Sequence, residues 1–388
     1  MATGACTCTV LRVQNDEEKV CSILVDERSE TDLERGVLRI SVLIDTYNHE
    51  QFIEQAIRSV LEQDMSMADV EIIVVDDGST DRTPEIIRGF EPRVRLLRKP
   101  NGGQASAFNA GIPECRGEII AFLDGDDWWE KDRLRTVLRE FEANPEIGAV
   151  GNGLFEVDTQ GKKLFVNAPD RVYQCFLHNV AEAMCFWELM SFLGTSRLAI
   201  RKIVLENILP IPEDLVIEAD EYLATLAVAI SGAIVIPRAL TDYRYHPGNL
   251  FQYSTFDREK TRRKMKVFEV LLRELPPKLR DRNIADDVIE TLFLGRRVDT
   301  ERMRLSLDGG SPLRTFTVER TAYQIAYPRT TWRRHLFQSL VLAQTLLLPP
   351  RVFYRLRRCY ADHGISKFRA WAGVPVSEVR VVARRPAT

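Results

Sequence analysis

Carboxylates are concentrated in the short stretch FLDGDDWW, residues 122–129. Asp124, Asp126 and Asp127 directly follow an apolar run, and two tryptophans come after them. Carboxylates this close repel one another in a partly buried site, and a divalent cation relieves that repulsion. Oxygen ligands suit a hard ion such as Mg²⁺ or Mn²⁺, whose coordination is usually completed by phosphate oxygens. The residue types therefore indicate a metal-assisted phosphate or nucleotide site.

Two further apolar runs end in the same way. ISVLIDTYN, residues 40–48, carries Asp45, and EIIVVDDGST, residues 71–80, carries Asp76 and Asp77. Asp-Gly pairs are also ordinary turn formers, and a single stretch of this kind is more often a loop than a site. The hypothesis of a ligand site therefore depends on three such endings at corresponding positions of successive strand–helix units.

Strands and helices must alternate to bring these endings together. The apolar runs are short and rich in β-branched residues, which predicts buried strands. NHEQFIEQAIRSVLEQ has apolar residues at helical spacing, with Asn48 as its expected N-cap. DRTPEIIRGF starts a second helix, with Thr83 as cap and Pro84 at the first helical position. The alternation predicts an α/β fold with a mostly parallel sheet, whose strands have their carboxyl ends at one edge.

The second half of the chain has a different pattern. Two strand-like runs flank DTQGK within residues 147–165 and predict a hairpin or edge strands, and residues 215–231 predict a helix. Beyond about residue 255 the chain is helical and basic, with a break near Tyr327–Pro328. The predicted division is an N-terminal extension over residues 1–37, an α/β domain over 38–255 and a helical C-terminal region over 256–388.

Composition excludes several classes of protein. The formal net charge is -3, so no overall positive field attracts nucleic acid. The seven cysteines are scattered and lack zinc-site spacing, which predicts a reducing compartment without a disulfide framework. We see neither a signal-peptide pattern nor an apolar run long enough to span a bilayer. These features predict a cytoplasmic protein, at the inner face of the membrane if its C-terminal region binds lipid.

Other nucleotide-binding classes lack their motifs. A dinucleotide-binding dehydrogenase needs a glycine-rich turn after its first strand, and SVLIDTYNHE contains no glycine. A P-loop NTPase needs the pattern GxxxxGK[ST], which is absent from the sequence. A sugar-phosphate nucleotidyltransferase would need a glycine-rich, basic loop after the first strand, and the chain has none there.

Four stretches together resemble the family 2 glycosyltransferases, which have the GT-A fold. In order, they are SVLIDTYNHEQFIEQAIRSVLEQ, EIIVVDDGSTDRTPEII, NGGQASAFNAGI and GEIIAFLDGDDWWEKDRL. The resemblance implies an inverting, metal-dependent transfer of a sugar from a nucleotide-sugar to an acceptor hydroxyl, in cell-envelope or exopolysaccharide synthesis. The alternative is a catalytically degenerate protein that keeps the fold, binds the nucleotide-sugar and has lost turnover.

The resemblance also implies roles for individual residues. Tyr47 matches the aromatic residue that stacks on the nucleotide base, next to Thr46, and Asp76 matches the residue that accepts a hydrogen bond from the base. Asp124 and Asp126 match the DXD motif, which holds the metal and the sugar-nucleotide, with Asp126 as the firmer metal ligand. The implied cofactor is Mg²⁺ or Mn²⁺. The implied donor is a UDP-sugar, with guanine and thymine nucleotides as alternatives.

The residues that follow the DXD motif have less specific roles. Asp127 is expected to support the metal ligands without binding the metal itself. Trp128 and Trp129 either form a wall of the sugar pocket or pack against the next helix, and the sequence leaves both interpretations open.

Two positions depart from the family pattern. Asp45 stands where the family often has proline, and Phe108 stands where many members have arginine. The side chain that assists the diphosphate must therefore be another one. Gln104, or a basic residue further along the chain, is the candidate.

An inverting transfer needs a general base near the acceptor hydroxyl. The family places an acidic pair at the start of a later helix, and VIEADEYLATLA is the matching stretch. Asp220 is the expected base, followed by Glu221 and then Glu218, although acidic residues at a helix start are also common for stability alone. His246, in YRYHPGN, is a candidate metal ligand or a turn residue, and Arg244 is an alternative contact to the diphosphate.

The C-terminal region contains no catalytic signature. Residues 331–360 place an apolar stretch between arginine clusters. Such a segment fits a helix that lies in the membrane interface with its arginines on anionic headgroups. It fits equally a core helix of a small helical subdomain. The acceptor is a glycan or a lipid-linked sugar, and membrane contact would favour the lipid-linked one.

Overall fold

The computed structural model describes residues 39–246, 257–326, 332–363 and 384–386. The predicted extension over residues 1–37 and the break near Tyr327–Pro328 lie outside these residues. The described strands form one eleven-stranded mixed sheet. Its parallel part has the order β3-β2-β1-β4. The strands are β1 Ile40–Thr46, β2 Val70–Asp76, β3 Arg95–Arg98 and β4 Ile119–Asp124.

Residue register brings the polar strand ends to one edge of the sheet. Thr46 pairs with Asp76 across β1 and β2, and Asp45 pairs with Asp124 across β1 and β4. The predicted α/β fold, with several strand ends at a shared edge, is thus confirmed. The pairing is possible because the preceding residues of each strand are apolar on both faces and lie in the interior.

Helices cover both faces of the parallel part. Residues of β1 alternate between the two cores, with Val42 and Ile44 on one side and Leu43 on the other. The apolar face of the first helix, including Ile53 and Ile57, packs in the core that holds Val42. The helices are α1 Ile53–Leu61, α2 Thr83–Arg88, α3 Gln104–Gly111 and α4 Arg133–Ala143.

Two predicted helix caps are wrong. α1 begins only at Ile53, and Asn48 has a left-handed backbone with φ of 56°. Its Oδ1 accepts a hydrogen bond from the Thr80 backbone N–H at 2.8 Å, so it joins two loops. Thr83 is the first residue of α2, and its Oγ1 accepts from the His49 backbone N–H at 2.9 Å. In both cases a contact from a distant loop replaces the local capping bond.

The remaining strands are mostly antiparallel. They extend the sheet beyond β4 in the order β9-β6-β7-β11, and β10 runs parallel to β6. The predicted hairpin is confirmed as β6 and β7. The strands are β5 Trp128–Trp129, β6 Ala149–Val157, β7 Lys163–Asn167, β8 Tyr173–Cys175, β9 Ala199–Arg201, β10 Ala233–Arg244 and β11 Arg384–Pro386.

Helices dominate the rest of the described chain. α5 Val180–Leu189, α6 Lys202–Glu206 and the buried α7 Ala219–Ser231 lie within the sheet-forming part of the sequence. The C-terminal region is helical, as predicted, whereas the exact division into domains stays a prediction. Among the described residues, no helix is both long and apolar enough to cross a bilayer. The C-terminal helices are α8 Arg258–Arg280, α9 Asp286–Asp308, α10 Pro312–Ala326, α11 Trp332–Leu347 and α12 Pro350–His363.

Candidate active site

Four carboxylates meet where β1 and β4 end. Asp45 and Asp124 are neighbours across the two strands, and the turn after β4 brings in Asp126 and Asp127. This turn is closed by the Asp127 backbone N–H, which donates to the Asp124 carbonyl at 3.1 Å. We refer to these four residues as the strand-end carboxylates.

Two histidines face Asp126. Nε2 of His246 lies 2.9 Å from Asp126 Oδ2, and Nε2 of His49 lies 3.9 Å from the same oxygen. Burial opposes ionisation of Asp126, but the His246 hydrogen bond and the two imidazoles hold its pKa below the usual value. Burial also lowers the pKa of His49, despite the attraction of Asp126. The site thus pairs an ionised carboxylate with imidazole nitrogen, the donor types that bind divalent metals.

The other three strand-end carboxylates resist ionisation. Burial, followed by the negative charge of Asp126, raises the pKa of Asp45. Burial and the neighbouring Asp45 likewise raise the pKa of Asp124. Burial and Asp126 raise the pKa of Asp127 to about 8, although hydrogen bonds from Ser196 and the Arg244 backbone oppose the shift. Within the described residues, Asp45 Oδ1 is a buried oxygen without a hydrogen-bond partner. In the part of the chain that the structure describes, the ion pairs of this cluster are with His49 and His246, while Arg197 acts on Asp127 from further away.

The residues present fit a divalent cation only in part. Asp126 and His246 supply one oxygen and one nitrogen donor. Within the described ranges, no group of three or more His, Cys, Asp or Glu side chains has metal-binding geometry. Such a pair suits an ion whose remaining positions are taken by water and by the phosphates of a ligand, as is usual for Mg²⁺.

The predicted base-binding residues lie around the end of β1 and β2. Tyr47 is 43% exposed, so its ring is available to a ligand, whereas Thr46 and Asp76 are buried. Asp76 Oδ1 accepts from the Ser79 backbone N–H at 3.0 Å, and Arg98 Nε lies 3.0 Å from its Oδ2. Gly78 has φ of +80°, and a Cβ there would lie 2.7 Å from the Asn101 backbone nitrogen. The turn after β2 thus requires glycine.

Asp77 has a structural task that the sequence did not reveal. Its carboxylate pairs with Lys99 Nζ at 2.6 Å. It also accepts backbone hydrogen bonds from Gly102 at 3.0 Å and from Gly103 at 2.7 Å. Asp77 therefore holds the loop that leads into α3, and with it Gln104, the first residue of that helix.

Gln104 and Thr195 connect the DXD carboxylates to the predicted base. Gln104 Nε2 lies 3.4 Å from Asp124 Oδ1 and donates to Thr195 Oγ1 at 3.0 Å, while its Oε1 accepts from the Ala219 backbone at 3.0 Å. Asp220 Oδ2 accepts from the Thr195 backbone N–H at 2.9 Å. The arrangement brings Asp124, Gln104 and Asp220 into one hydrogen-bonded network.

Comparison with known proteins agrees with this architecture. Residues 41–205 match the sequence model described as Glycosyl transferase family 2. Those residues are a family 2 glycosyltransferase domain. An uncharacterized glycosyltransferase of Nostoc sp. is 33% identical over 226 residues, which is 55% of this chain and 66% of that protein. A chondroitin synthase of Pasteurella multocida is 40% identical over 114 residues, 29% of this chain and 12% of that protein. The chain thus spans less than two thirds of both relatives.

A solved glycosyltransferase has the same fold. The structure of S. aureus TarS residues 1–349 in complex with UDP-GlcNAc superposes with a TM-score of 0.54 at 19% sequence identity. The match covers 84% of this chain and 92% of that chain. The predicted GT-A fold is thereby confirmed for the glycosyltransferase domain.

Asp220 differs from its two acidic neighbours in the partners that it contacts. Arg296 of α9 binds Glu221 through two hydrogen bonds, from Nε at 2.8 Å and from Nη2. Glu218 lies 3.5 Å from both Lys264 Nζ of α8 and Arg296 Nη2. We refer to Glu218 and Glu221 as the α7 glutamates. Because cations from the C-terminal helices match their charges, Asp220 is the one of the three candidates that faces the strand-end network.

Arg244 and the two tryptophans are engaged in packing. Arg244 Nε donates to the Asp126 backbone oxygen at 3.0 Å, and its guanidinium lies 4.4 Å from the Trp128 ring centre. Trp129 is buried, and its Nε1 donates to the Ser196 carbonyl at 2.7 Å. These contacts place Trp129 in the core and give Arg244 the task of holding the DXD turn.

Ser196 and Phe108 explain two further features of the glycosyltransferase domain. Ser196 Oγ lies 3.0 Å from Asp124 Oδ2 and 2.6 Å from Asp127 Oδ2, a contact that sequence reasoning missed. Its only signal was the polar run GTSR after an apolar segment. Phe108 is fully buried against Phe122, with ring centres 5.0 Å apart. At the position where many family members have arginine, this chain therefore has an aromatic side chain that belongs to the core.

Proposed function

We propose that the chain is an inverting, metal-dependent glycosyltransferase that transfers a sugar from a nucleotide-sugar to an acceptor hydroxyl. One observation carries the proposal: the network Asp124–Gln104–Thr195–Asp220 joins the DXD turn to a carboxylate at a helix start. An inverting transferase needs a donor site and a general base on opposite sides of one reacting carbon. The two ends of this network are suited to those two tasks.

The donor is proposed to be a UDP-sugar. Tyr47 would stack on the base with its exposed ring, and Asp76 would accept a hydrogen bond from it. Thr46 and Asp124 would contact the sugar-nucleotide at the ends of β1 and β4, with Gln104 near the diphosphate. The UDP-GlcNAc complex of the structurally similar TarS protein supports a uridine nucleotide.

The proposed cofactor is Mg²⁺ or Mn²⁺, held by Asp126 and His246. When bound, such an ion would supply positive charge next to the diphosphate. Among the described residues, the ion-pair partners of the strand-end carboxylates are His49 and His246, which both lie beside Asp126. That shortage of positive charge is the structural reason for proposing a cation here.

Asp220 is the proposed general base. Its carboxylate is oriented by Thr195, whose N–H and hydroxyl both contact Oδ2. Asp220 accepts the proton of the acceptor hydroxyl while the acceptor oxygen forms its bond to the anomeric carbon. The bond between that carbon and the diphosphate oxygen breaks, and the electron pair leaves with the nucleoside diphosphate. Attack from the opposite face inverts the anomeric configuration.

The proposed process is cell-envelope or exopolysaccharide synthesis, with a glycan or a lipid-linked sugar as acceptor. The partial similarity to a chondroitin synthase supports a polysaccharide product. A cytoplasmic location is proposed as well. It is supported by Cys115, a buried thiol that forms no disulfide within the described chain and suits a reducing compartment.

A panel of nucleotide-sugars, each with Mn²⁺ or Mg²⁺, tests the proposal. Thermal stabilisation would report donor binding, and release of nucleoside diphosphate would report turnover. We expect Asp126→Asn to lose both signals. Asp220→Asn should keep metal-dependent donor binding while turnover falls by about 10²- to 10⁴-fold, the usual contribution of a general base.

The exposed Asp214 provides the matched control, since Asp214→Asn removes a surface carboxylate whose ion-pair partner is Arg273. This variant should behave like the wild type in both assays. A wild-type protein that binds a donor with metal and never releases nucleoside diphosphate would instead be the degenerate binding protein. If no donor binds with either metal, the metal-dependent mechanism is wrong.

A further inference from the structure

The helix α11 turns two polar side chains inward, beside the apolar Val341, and several apolar side chains outward. Gln338 is 8% exposed and Thr345 is fully buried, so two polar side chains face the protein interior. Its outward side carries apolar residues instead: Trp332 is 67% exposed, Leu336 47%, Leu340 49% and Leu347 81%. A surface helix in water normally turns its leucines inward. The observed orientation therefore implies that something apolar covers the outer side.

The exposed apolar residues form one continuous stripe. Positions 332, 336, 340 and 347 follow the spacing that places side chains on one side of a helix. The next helix, α12, adds Val352 and Leu356, which are 43% and 40% exposed. Scattered single leucines on a surface need no explanation, but a row of this kind marks an interaction site.

The two helices carry mostly positive charge, and Asp362 near the end of α12 is their one acidic residue. Residues 332–361 contain six arginines and neither aspartate nor glutamate, whereas the whole chain has a net charge of -3. Arg357 is bound to the buried Glu319, and three others are exposed on the same two helices: Arg333, Arg351 and Arg355. A partner for this surface must combine an apolar layer with negative charge.

We propose that α11 and the exposed side of α12 form a lipid-docking face that lies flat on an anionic bilayer. The lipid-docking face is defined by Trp332, Leu336, Leu340, Leu347, Val352 and Leu356 together with Arg333, Arg351 and Arg355. Apolar side chains of an interfacial helix enter the boundary between headgroups and acyl chains, and its arginines bind anionic headgroups. This proposal concerns a surface that the proposed transferase reaction does not use.

Geometry and charge disfavour the alternative occupants of this face. The 16-residue α11 is too short to cross the hydrocarbon core, and among the described residues no helix is long and apolar enough to do so. A second copy of the chain, docked through a twofold axis, would bring the same patch against itself. Such an interface would place the arginines of the two copies close together, and their repulsion would oppose it.

Vesicle co-sedimentation of the full chain tests the lipid-docking face. Large vesicles of phosphatidylcholine alone and of phosphatidylcholine with phosphatidylglycerol are compared at low and high salt. We expect binding to the anionic vesicles, weakened by salt and much lower with phosphatidylcholine alone, because the arginine contribution depends on surface charge.

Two sets of variants separate the apolar and the charged contributions. The triple variant Leu336→Gln, Leu340→Gln and Leu347→Gln should bind the anionic vesicles about tenfold less tightly or worse. The triple variant Arg333→Gln, Arg351→Gln and Arg355→Gln should lose most of the salt-sensitive part of binding. The matched apolar control carries Val172→Gln, Met184→Gln and Ile203→Gln, which alter equally exposed side chains elsewhere. It should bind like the wild type.

The outcomes distinguish lipid from protein partners. The leucine variant changes exposed side chains, so its melting temperature should equal or exceed that of the wild type, which shows that it folds. The proposal is wrong if the wild type fails to bind anionic vesicles at low salt, or if the leucine variant binds as well as the wild type. Suppose that light scattering shows a dimer for the wild type and a monomer for the leucine variant, and that the wild type does not bind vesicles. The face would then be assigned to a second copy of the chain.

Discussion

The strand-end carboxylates and the α7 glutamates are both buried, yet they differ in how their charge is balanced. Arg296 and Lys264 lie beside the α7 glutamates, and Arg296 stacks over Phe268 with its guanidinium 4.2 Å from the ring centre. At the strand ends, the carboxylates within the described chain form ion pairs with His49 and His246, and Arg244 binds the Asp126 backbone oxygen. The α7 glutamates thus have arginine and lysine at ion-pair distance, whereas the strand-end carboxylates have histidines.

The difference indicates which carboxylates serve a ligand. A buried acidic group with a matching cation stabilises a helix start and leaves nothing for a ligand to neutralise. A buried cluster with raised pKa values is costly unless a bound cation completes it. The contrast also gives the C-terminal helices a task, since α8 and α9 supply the cations that hold the segment carrying Asp220.

The largest expected effect comes from removing a cation from the α7 glutamates. Arg296→Met would leave Glu221 buried without its partner, so the free energy of unfolding should fall by about 3–5 kcal/mol. Urea denaturation measures the change. Arg297→Met, next to it on α9, removes an exposed arginine paired with Glu290 and should cost less than about 1 kcal/mol.

A double variant then isolates the ion pair. Combining Glu221→Gln with Arg296→Met removes both charges, and it should recover most of the stability lost in the single variant. If Arg296→Met alone is as stable as the wild type, the ion pairs at α7 do not stabilise the fold. The proposed difference between the α7 glutamates and the strand-end carboxylates would then be wrong.

An intermediate effect concerns pH and Glu218. Burial raises the pKa of Glu218 to about 7 from 4.5, although Arg296 and Lys264 oppose the shift. Between these values the folded chain retains a proton that the unfolded chain has lost, so stability falls as pH rises through this window. As pH rises from about 5 to about 7, the free energy of unfolding should fall for the wild type. For Glu218→Gln this fall should be smaller by up to about 2 kcal/mol.

Urea denaturation at several pH values checks the slope. The exposed Glu206 lies elsewhere on the surface, and Glu206→Gln should keep the wild-type slope. Equal slopes for the wild type and Glu218→Gln would mean that Glu218 is as well matched in charge as Glu221.

The smallest expected effect is a gain in stability at the strand ends. Asp45→Asn replaces a buried carboxyl group, which burial and Asp126 keep from ionising, by a neutral amide of similar shape. Without donor or metal, the melting temperature should rise by about 2 °C, as expected for a small gain in free energy. Asp214→Asn serves as the exposed control. A fall in melting temperature for Asp45→Asn would show that this carboxylate has a stabilising partner and does not belong to the unmatched group.

The sequence could predict those parts of the fold that depend on local pattern. Short β-branched runs identified β1, β2 and β4, and helical spacing identified α1 and α7. The two wrong caps, at Asn48 and Thr83, show the limit of such patterns. Both side chains form hydrogen bonds with residues about thirty positions away, and these contacts replace the local bonds that capping rules assume.

By itself, then, the sequence determined the alternating strands and helices and the acidic strand ends, because apolar periodicity and chain direction are local properties. Only the tertiary structure decided which acidic groups share a site and which are neutralised. His246 reaches Asp126 across 120 residues, and Thr195 reaches Asp220 across 25. Arg296 reaches Glu221 across 75. Charge balance in a buried cluster depends on such distant neighbours, and no short sequence window contains them.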